Sequence, residues 1–293
     1  MFRTRHATMD DSEALGALLD RCAIVDGRSP LSEFKTLRVP VANAFRSLVV
    51  PGPRDSVIAL GVAAWHAAEL GEAGGYWAAE MAIDPEQRSV DAYESILAAL
   101  EEEVGFPLAL WTFDAMQEAA AANHGMDEVR AILEMRRGLP ADSVPLAAGF
   151  TVRSFAAGAD ESDWLVLNQR VFAHHPEAGA IDGADLALRM AQPWFDAAGL
   201  LLLFDGADAA GYCWTKLHDG ELGEIYMIGL VPEYRGRNLA RPLTSAGLDH
   251  LAATGATTAM LYAEASNLAA VGLYQSMGFQ VVGRVVLHQR SAA

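Results

Sequence analysis

The sequence predicts an α/β protein with mixed sheets, built as two tandem copies of one unit. Three observations predict it. Short apolar runs of strand length alternate with longer segments of helical period. The same order of elements then occurs twice along the 293 residues. Between the copies lies "GLPADSVPLAAG" (138–149), with two prolines and small residues, the composition of a linker. The domains are therefore placed at 1–139 and 150–293, joined by 140–149.

The first copy opens with a strand, "FRTRHAT". "MDDSEALGALLDRCAIVDG" follows as a helix, with acids at its start and apolar residues at helical spacing. "SVIALGVAAWHA" and "GYWAAEMAI" read as strands. "DPEQRSVDAYESILAALEEEVG" is a turn running into a helix. "PLALWTF" is a strand, "AAAANHGM" closes a short Ala-rich helix, and "EVRAILEMRR" is the last strand. The second copy repeats the order. "FTVRSF" leads into a helix ending near "NQRVFAHHPE". The strands "GLLLLFDG", "AAGYCWTKLHD" and "GELGEIYMIGLV" come next. "VPEYRGRNLARPLTSAGLDHLAATG" is the turn and helix. "TAMLYAE", "AAVGLYQSMGF" and "QVVGRVVLHQR" complete it.

Composition narrows the class of function. The chain is 52% hydrophobic and 20% charged, which suits a folded protein rather than a disordered one. Its 38 acids against 21 bases give a net charge of −17, a surface that repels nucleic acid and anionic membranes. No apolar run is long enough to span a bilayer, and the N-terminus lacks the apolar core of a secretion signal. A cytoplasmic monomer without nucleic-acid or membrane partners is expected. Cys22 and Cys213 form no C-x-x-C and read as buried reduced thiols. His174 and His175 are adjacent, which is poor geometry for chelation, and no third ligand is spaced near them. No metal is expected.

Against this acidic background "GLVPEYRGRNLARPL" (229–243) is a local exception. A strand, a tight turn and a helix start make an anion site, because the first amides of a helix lack internal partners and its dipole favours negative charge. Arg235, Gly236, Arg237, Asn238, Leu239, Ala240 and Arg241 supply successive amides and cationic charge. A solvated surface turn remains the alternative at this point.

Downstream, "NLAAVGLYQSMGF" places Asn267 before a helix and Tyr274 within it. With "RGRNLA", this resembles the GNAT acetyltransferase superfamily, whose signatures are R/Q-x-x-G-x-G/A and N-x-x-A-x-x-x-Y-x-x-x-G-F. Asn238 stands where glycine is usual, and asparagine tolerates left-handed angles. The resemblance implies acetyl-CoA as co-substrate. Its pyrophosphate would be held by 235–241, and its pantetheine arm and thioester by the amides of Ile228, Gly229 and Leu230, with Asn267 contributing. Placing Pro85 opposite Pro232 sets Arg88 against Arg235, Asp91 against Asn238, Tyr93 against Ala240 and Trp77 against Glu224. Ala121 falls opposite Tyr274. Apart from Arg88 the first copy has lost these groups, and the second is expected to be catalytic.

Acetyl transfer needs a base for the amine, donors for the oxyanion and an acid for the thiolate. Alternation in "GELGEIYMIGLV" puts Glu224, Tyr226, Ile228 and Leu230 on one face, and Ile225, Met227 and Gly229 on the other. Glu224 reads as the base and Tyr274 as the acid. Cys213 reads as core.

Other segments carry a closer resemblance, to the mycothiol synthase family: "IVDGRSPLSE", "FAHHPEAGA", "CWTKLH" and "LTSAG…YQSMGF". It covers nearly the whole chain. It implies acetylation of the cysteinyl amine of a cysteine–glucosamine–inositol pseudo-disaccharide, with Glu33, Glu177, Lys216, Glu224 and Tyr262 as acceptor contacts and the acceptor lying between domains. Another small polar amine as acceptor, such as an aminosugar or aminoglycoside, or a non-catalytic acetyl-CoA-binding protein, are the alternatives.

Overall fold

The computed structural model describes residues 2–39, 45–67, 74–105, 107–173, 181–218 and 221–290. The chain divides into two compact units, one of residues 1–131 with 285–293, the other of 132–284. This division falls at 131/132 and 284/285, where the sequence reading placed the linker at 140–149. The last strand of each half is shared out: most of the strand Met126–Gly138 belongs to the second unit, and the end of the chain belongs to the first.

In the first unit β1 (Arg5–His6), β2 (Phe45–Pro51), β3 (Val57–Ala67) and β4 (Gly75–Ile83) pair antiparallel in sequence order. β5 (Leu108–Thr112) joins β4 in parallel. The chain's final strand adds Val286–Gln289 antiparallel to β5. The period of two along β3 sends Leu60, Val62 and Ala64 to one face, against α1 (Ser12–Asp26). Ala59 and Ala63 go to the other face, against α3 (Val90–Val104). α3 buries Ala92, Tyr93, Ile96, Leu97 and Leu100, the spacing of a single helical stripe. Between α1 and β2 lies the short α2 (Glu33–Thr36), and α4 (Ala115–Asn123) leads to β6 (Met126–Gly138).

The second unit repeats the plan. β7 (Phe150–Ser154), β8 (Leu200–Asp205), β9 (Asp208–Leu217) and β10 (Leu222–Leu230) pair antiparallel. β11 (Thr258–Glu264) joins β10 in parallel, and residues 132–138 of β6 pair antiparallel with β11. α5 (Glu161–Val171) and α6 (Gly183–Met190) cover one face. α7 (Ala240–Ala253) and α8 (Leu268–Ser276) cover the other, and β12 (Gln280–Arg290) ends the chain.

The repetition reaches single hydrogen bonds. Arg5 grips Asp11 with both guanidinium nitrogens at 2.6 and 2.8 Å, and Asp11 also accepts the Thr8 amide. Arg153 grips Asp160 at 2.5 and 3.0 Å, and Asp160 accepts the Ala156 amide. In each unit this latch ties the first strand to the start of the first helix. No described helix is long and apolar enough to cross a membrane.

Candidate functional site

Parallel pairing of β10 with β11 runs only from Leu222–Thr258 to Ile225–Leu261. Beyond Ile225 the strands part, while β10 stays paired with β9 up to Leu230. The parting coincides with a bulge. The register against β9 runs Ile225↔Thr215, then Met227↔Trp214, so Tyr226 is the extra residue. This corrects the alternation read from the sequence. Glu224, Tyr226, Met227 and Gly229 face α5 and α6, whereas Ile225, Ile228 and Leu230 face α7 and α8. A bulge reverses the phase of every later side chain.

The turn after β10 combines a positive φ of 75° at Gly236 with 60° at Asn238. Left-handed angles at near-alternate positions turn successive amides into one concave nest. α7 starts at Ala240 without a side-chain N-cap. Among the described residues, no acceptor takes the amides of Gly236 to Arg241. Six donors are left at the positive end of a helix dipole, which suits a phosphate group.

The arginines divide their work. Arg235 donates Nε to the Leu230 carbonyl at 3.1 Å and Nη2 to the Val171 carbonyl at 2.9 Å. Its guanidinium holds the scaffold. Its counterpart Arg88 donates Nε to Ile83 at 3.0 Å in the same way and grips Asp26. Arg237 lies 4.7 Å over the Tyr234 ring at the exposed rim. Arg241 is hydrogen-bonded to Ser276 and links the starts of the turn helix and the end of α8. In the first unit, by contrast, Ser89 caps α3 by accepting the Ala92 amide at 3.1 Å, and Asp91 adds negative charge there.

On the α7 side of the parting stands Tyr274, buried against Phe279 at 5.9 Å between ring centroids. Burial, with a smaller effect of Cys213, pushes its phenol up to about 12. It is thus a full proton donor at neutral pH. Asn267 caps α8, its Oδ1 accepting the Ala270 amide at 3.1 Å. Both cysteines are buried and free, and burial pushes Cys213 up to about 12, so it is no ready nucleophile.

On the α5 and α6 side, Glu224 is buried next to Lys216, its register partner on β9. Tyr262 shares this face from β11, because Ala259, Leu261 and Ala263 point into the α7 core. Lys216 Nζ sits 4.5 Å over the Trp194 ring and 5.4 Å over the Tyr226 ring. Arg189 of α6 donates to the Tyr226 hydroxyl at 2.9 Å. His218 Nε2 lies 2.7 Å from Glu224 Oε2.

The structure thus gathers the 235–241 turn and Tyr274 on one face, and Lys216, Glu224 and Tyr262 on the other. Ile228, Gly229 and Leu230 lie on the separated stretch between. Glu33 opens α2 in the first unit, half-buried. Glu177, His174 and His175 lie outside the described residues. His218, Tyr226, Trp194 and Arg189 were missed. For His218 a signal existed: its two-residue spacing from Lys216 along one strand puts both on one face. For Arg189 the signal was the Asp182–Asp185 capping box that opens α6.

Comparison with known proteins gives the family and the fold. Residues 169–279 match the acetyltransferase (GNAT) family. A protein of Thermomonospora curvata named mycothiol acetyltransferase is 40% identical over 280 residues, 93% of this chain and 91% of its own. Two solved structures share the fold. A GCN5-related N-acetyltransferase from Sphaerobacter thermophilus has a TM-score of 0.66 at 20% identity, covering 100% of this chain and 97% of its own. A tandem GNAT protein from the clavulanic acid biosynthesis pathway has a TM-score of 0.70 at 15% identity, covering 100% of both. Identity of 40% over nearly the whole length makes the chain a member of the GNAT acetyltransferases and, within them, of the mycothiol acetyltransferase family.

Proposed function

We propose that the chain moves the acetyl group of acetyl-CoA to the cysteinyl amine of a cysteine–glucosamine–inositol pseudo-disaccharide, the last step of mycothiol synthesis. The observation that supports the donor is the run of six amides, Gly236 to Arg241, without an acceptor at the head of an uncapped helix. The acceptor rests on the relatives' name and on the polar face beside the parting of β10 and β11.

In this reading Glu224 takes a proton from the ammonium, directly or through water, and frees the nucleophilic lone pair. Backbone amides along Ile228 to Leu230 hold the thioester oxygen as negative charge develops on it. Tyr274 gives its proton to the departing thiolate. Lys216 and Tyr262 donate to acceptor hydroxyls. Asn267, Glu33 and Glu177 are assigned by resemblance, the first to acetyl-CoA and the others to the acceptor. Substitution of Glu33 or Lys216 by Ala is then expected to raise KM for the acceptor and leave that for acetyl-CoA nearly unchanged.

The test is release of free thiol from acetyl-CoA by the purified chain, offered the cysteinyl pseudo-disaccharide beside aminoglycosides and polyamines. Turnover confined to the pseudo-disaccharide supports the proposal. Turnover only with another amine keeps the acetyl-CoA site and discards the acceptor. No turnover despite acetyl-CoA binding overturns the transferase reading and favours a non-catalytic acetyl-CoA-binding protein.

A further inference from the structure

We infer that His218 is a positioning residue for Glu224, and that the two side chains act as one proton-accepting pair. The inference rests on the reading of Glu224 as the acceptor's base.

The pair is built by the β9–β10 hairpin. Glu224 and Lys216 are register partners, so their side chains leave the sheet side by side. Two residues on, the His218 amide donates to the Leu222 carbonyl at 2.9 Å and fixes the start of the turn. This brings Nε2 of His218 to 2.7 Å from Oε2 of Glu224, while Lys216 bends the other way, over Trp194 and Tyr226. The charged or titratable groups on neighbouring elements are Lys216 on β9, Tyr226 on β10 with Arg189 of α6, and Tyr262 on β11.

The geometry gives the two carboxylate oxygens different tasks. Oε2 meets the imidazole. Among the described residues Oε1 accepts no hydrogen bond and is left for the acceptor. A carboxylate with one oxygen tethered loses rotational freedom about its terminal torsion, so the other oxygen is held in one place. Solvent access is also divided, since the glutamate side chain is 10% exposed and the histidine side chain 34%. The buried member meets the substrate and the wetter member meets water.

The protons balance. The acceptor enters as an ammonium and leaves as an amide, so it gives up two. The C–N bond forms, the C–S bond breaks, and Tyr274 protonates the thiolate. One acceptor proton restores Tyr274. The other passes to Oε1 of Glu224 and leaves from there to water once the product departs, while the Nε2–H of His218 keeps its hydrogen bond to Oε2.

The experiment measures thiol release against pH for the full chain, with acetyl-CoA saturating and the cysteinyl pseudo-disaccharide varied, for wild type, His218→Gln, His218→Ala and Glu224→Gln. His218→Ala is expected to lose about tenfold in kcat, with KM for acetyl-CoA unchanged. His218→Gln keeps an N–H for Oε2 and recovers part of the rate. Its kcat/KM profile against pH is expected to differ from wild type on the acidic limb, because the imidazole beside Glu224 is replaced by an amide. A merely structural histidine would not move that limb. The inference fails if the His218→Gln profile superimposes on wild type while Glu224→Gln is inactive. If Glu224→Gln keeps full activity, the underlying base assignment fails instead. Should His218→Ala not fold, His218→Gln still decides the question.

Discussion

Two residues of the donor side, alike in charge, do unlike work. Arg235 spends its fork on two carbonyls, and Arg88 spends its own on one carbonyl and the Asp26 carboxylate in the first unit, where the amide nest is gone. An arginine kept where the ligand site is lost is a scaffold residue. Lys cannot reproduce two divergent N–H bonds. Arg235→Lys is therefore expected to cost about 1 kcal/mol in urea unfolding and to raise KM for acetyl-CoA, because the turn loses its anchor. Arg237→Ala is expected to raise that KM while changing stability by less than about 0.5 kcal/mol. Equal stability losses in both variants would refute the division. Tyr274→Phe keeps the contact with Phe279 and removes the proton, so kcat is expected to fall about 100-fold with little change in KM. Its phenol is raised to about 12, so the acid form persists through neutral pH. Any alkaline limb set by Tyr274 should lie above the ordinary phenol value of about 10, readable in a kcat profile.

At the scale of the element, α7 carries the turn, and its seat on the sheet decides where the amides stand. Gly247 is the point of closest approach, since a Cβ there would meet Cys213 Sγ at 2.6 Å and Ile225 Cδ1 at 2.8 Å. Two effects oppose each other in Gly247→Ala. Helix propensity favours Ala by about 1 kcal/mol. Overpacking a close-packed seat costs about 1–3 kcal/mol. Both contacts are side-chain ends, but Cys213 and Ile225 are buried with no open space to swing into, so the cost is expected to win: a lower urea midpoint and a raised KM for acetyl-CoA, as the helix lifts. A midpoint above wild type would show that the seat is looser than drawn. The sequence made α7 legible, because Pro242, Leu243, Leu248 and Leu251 keep one stripe. The nest was legible too, since few residues besides Gly and Asn sit easily at φ near 60°. The bulge at Tyr226 was not. Nothing in "GEIYMIG" departs from alternation, and only the register with β9 shows where the phase reverses. For His218 only its spacing from Lys216 was legible, since its partner Glu224 is set by pairing between strands.

Over the whole molecule, the sequence hid the shared last strands, because "EVRAILEMRR" and "QVVGRVVLHQR" have similar patterns and either could close either sheet. What the repeat did preserve is the Arg–Asp latch in each unit, and it sets how the fold responds to acid. The two hydrogen bonds from Arg5 hold the Asp11 carboxyl far below the usual carboxylate range, and those from Arg153 lower Asp160. In the unfolded chain such carboxyls take a proton near pH 4. The folded values are lower, so the latches stabilise the fold above about pH 4, and this contribution is lost as pH falls through the folded values. The net charge of −17 works in the opposite direction, since protonating surface acids relieves repulsion. At about 0.15 M salt the Debye length is about 8 Å, which mutes that repulsion but not contacts of 2.5–3.0 Å. The latch is therefore expected to dominate. The urea midpoint of wild type should fall from about pH 5 downward. A double variant, Asp11→Asn with Asp160→Asn, should start lower at neutral pH, fall less steeply, and meet the wild-type curve in acid. Parallel curves would mean that other carboxylates carry the acid sensitivity.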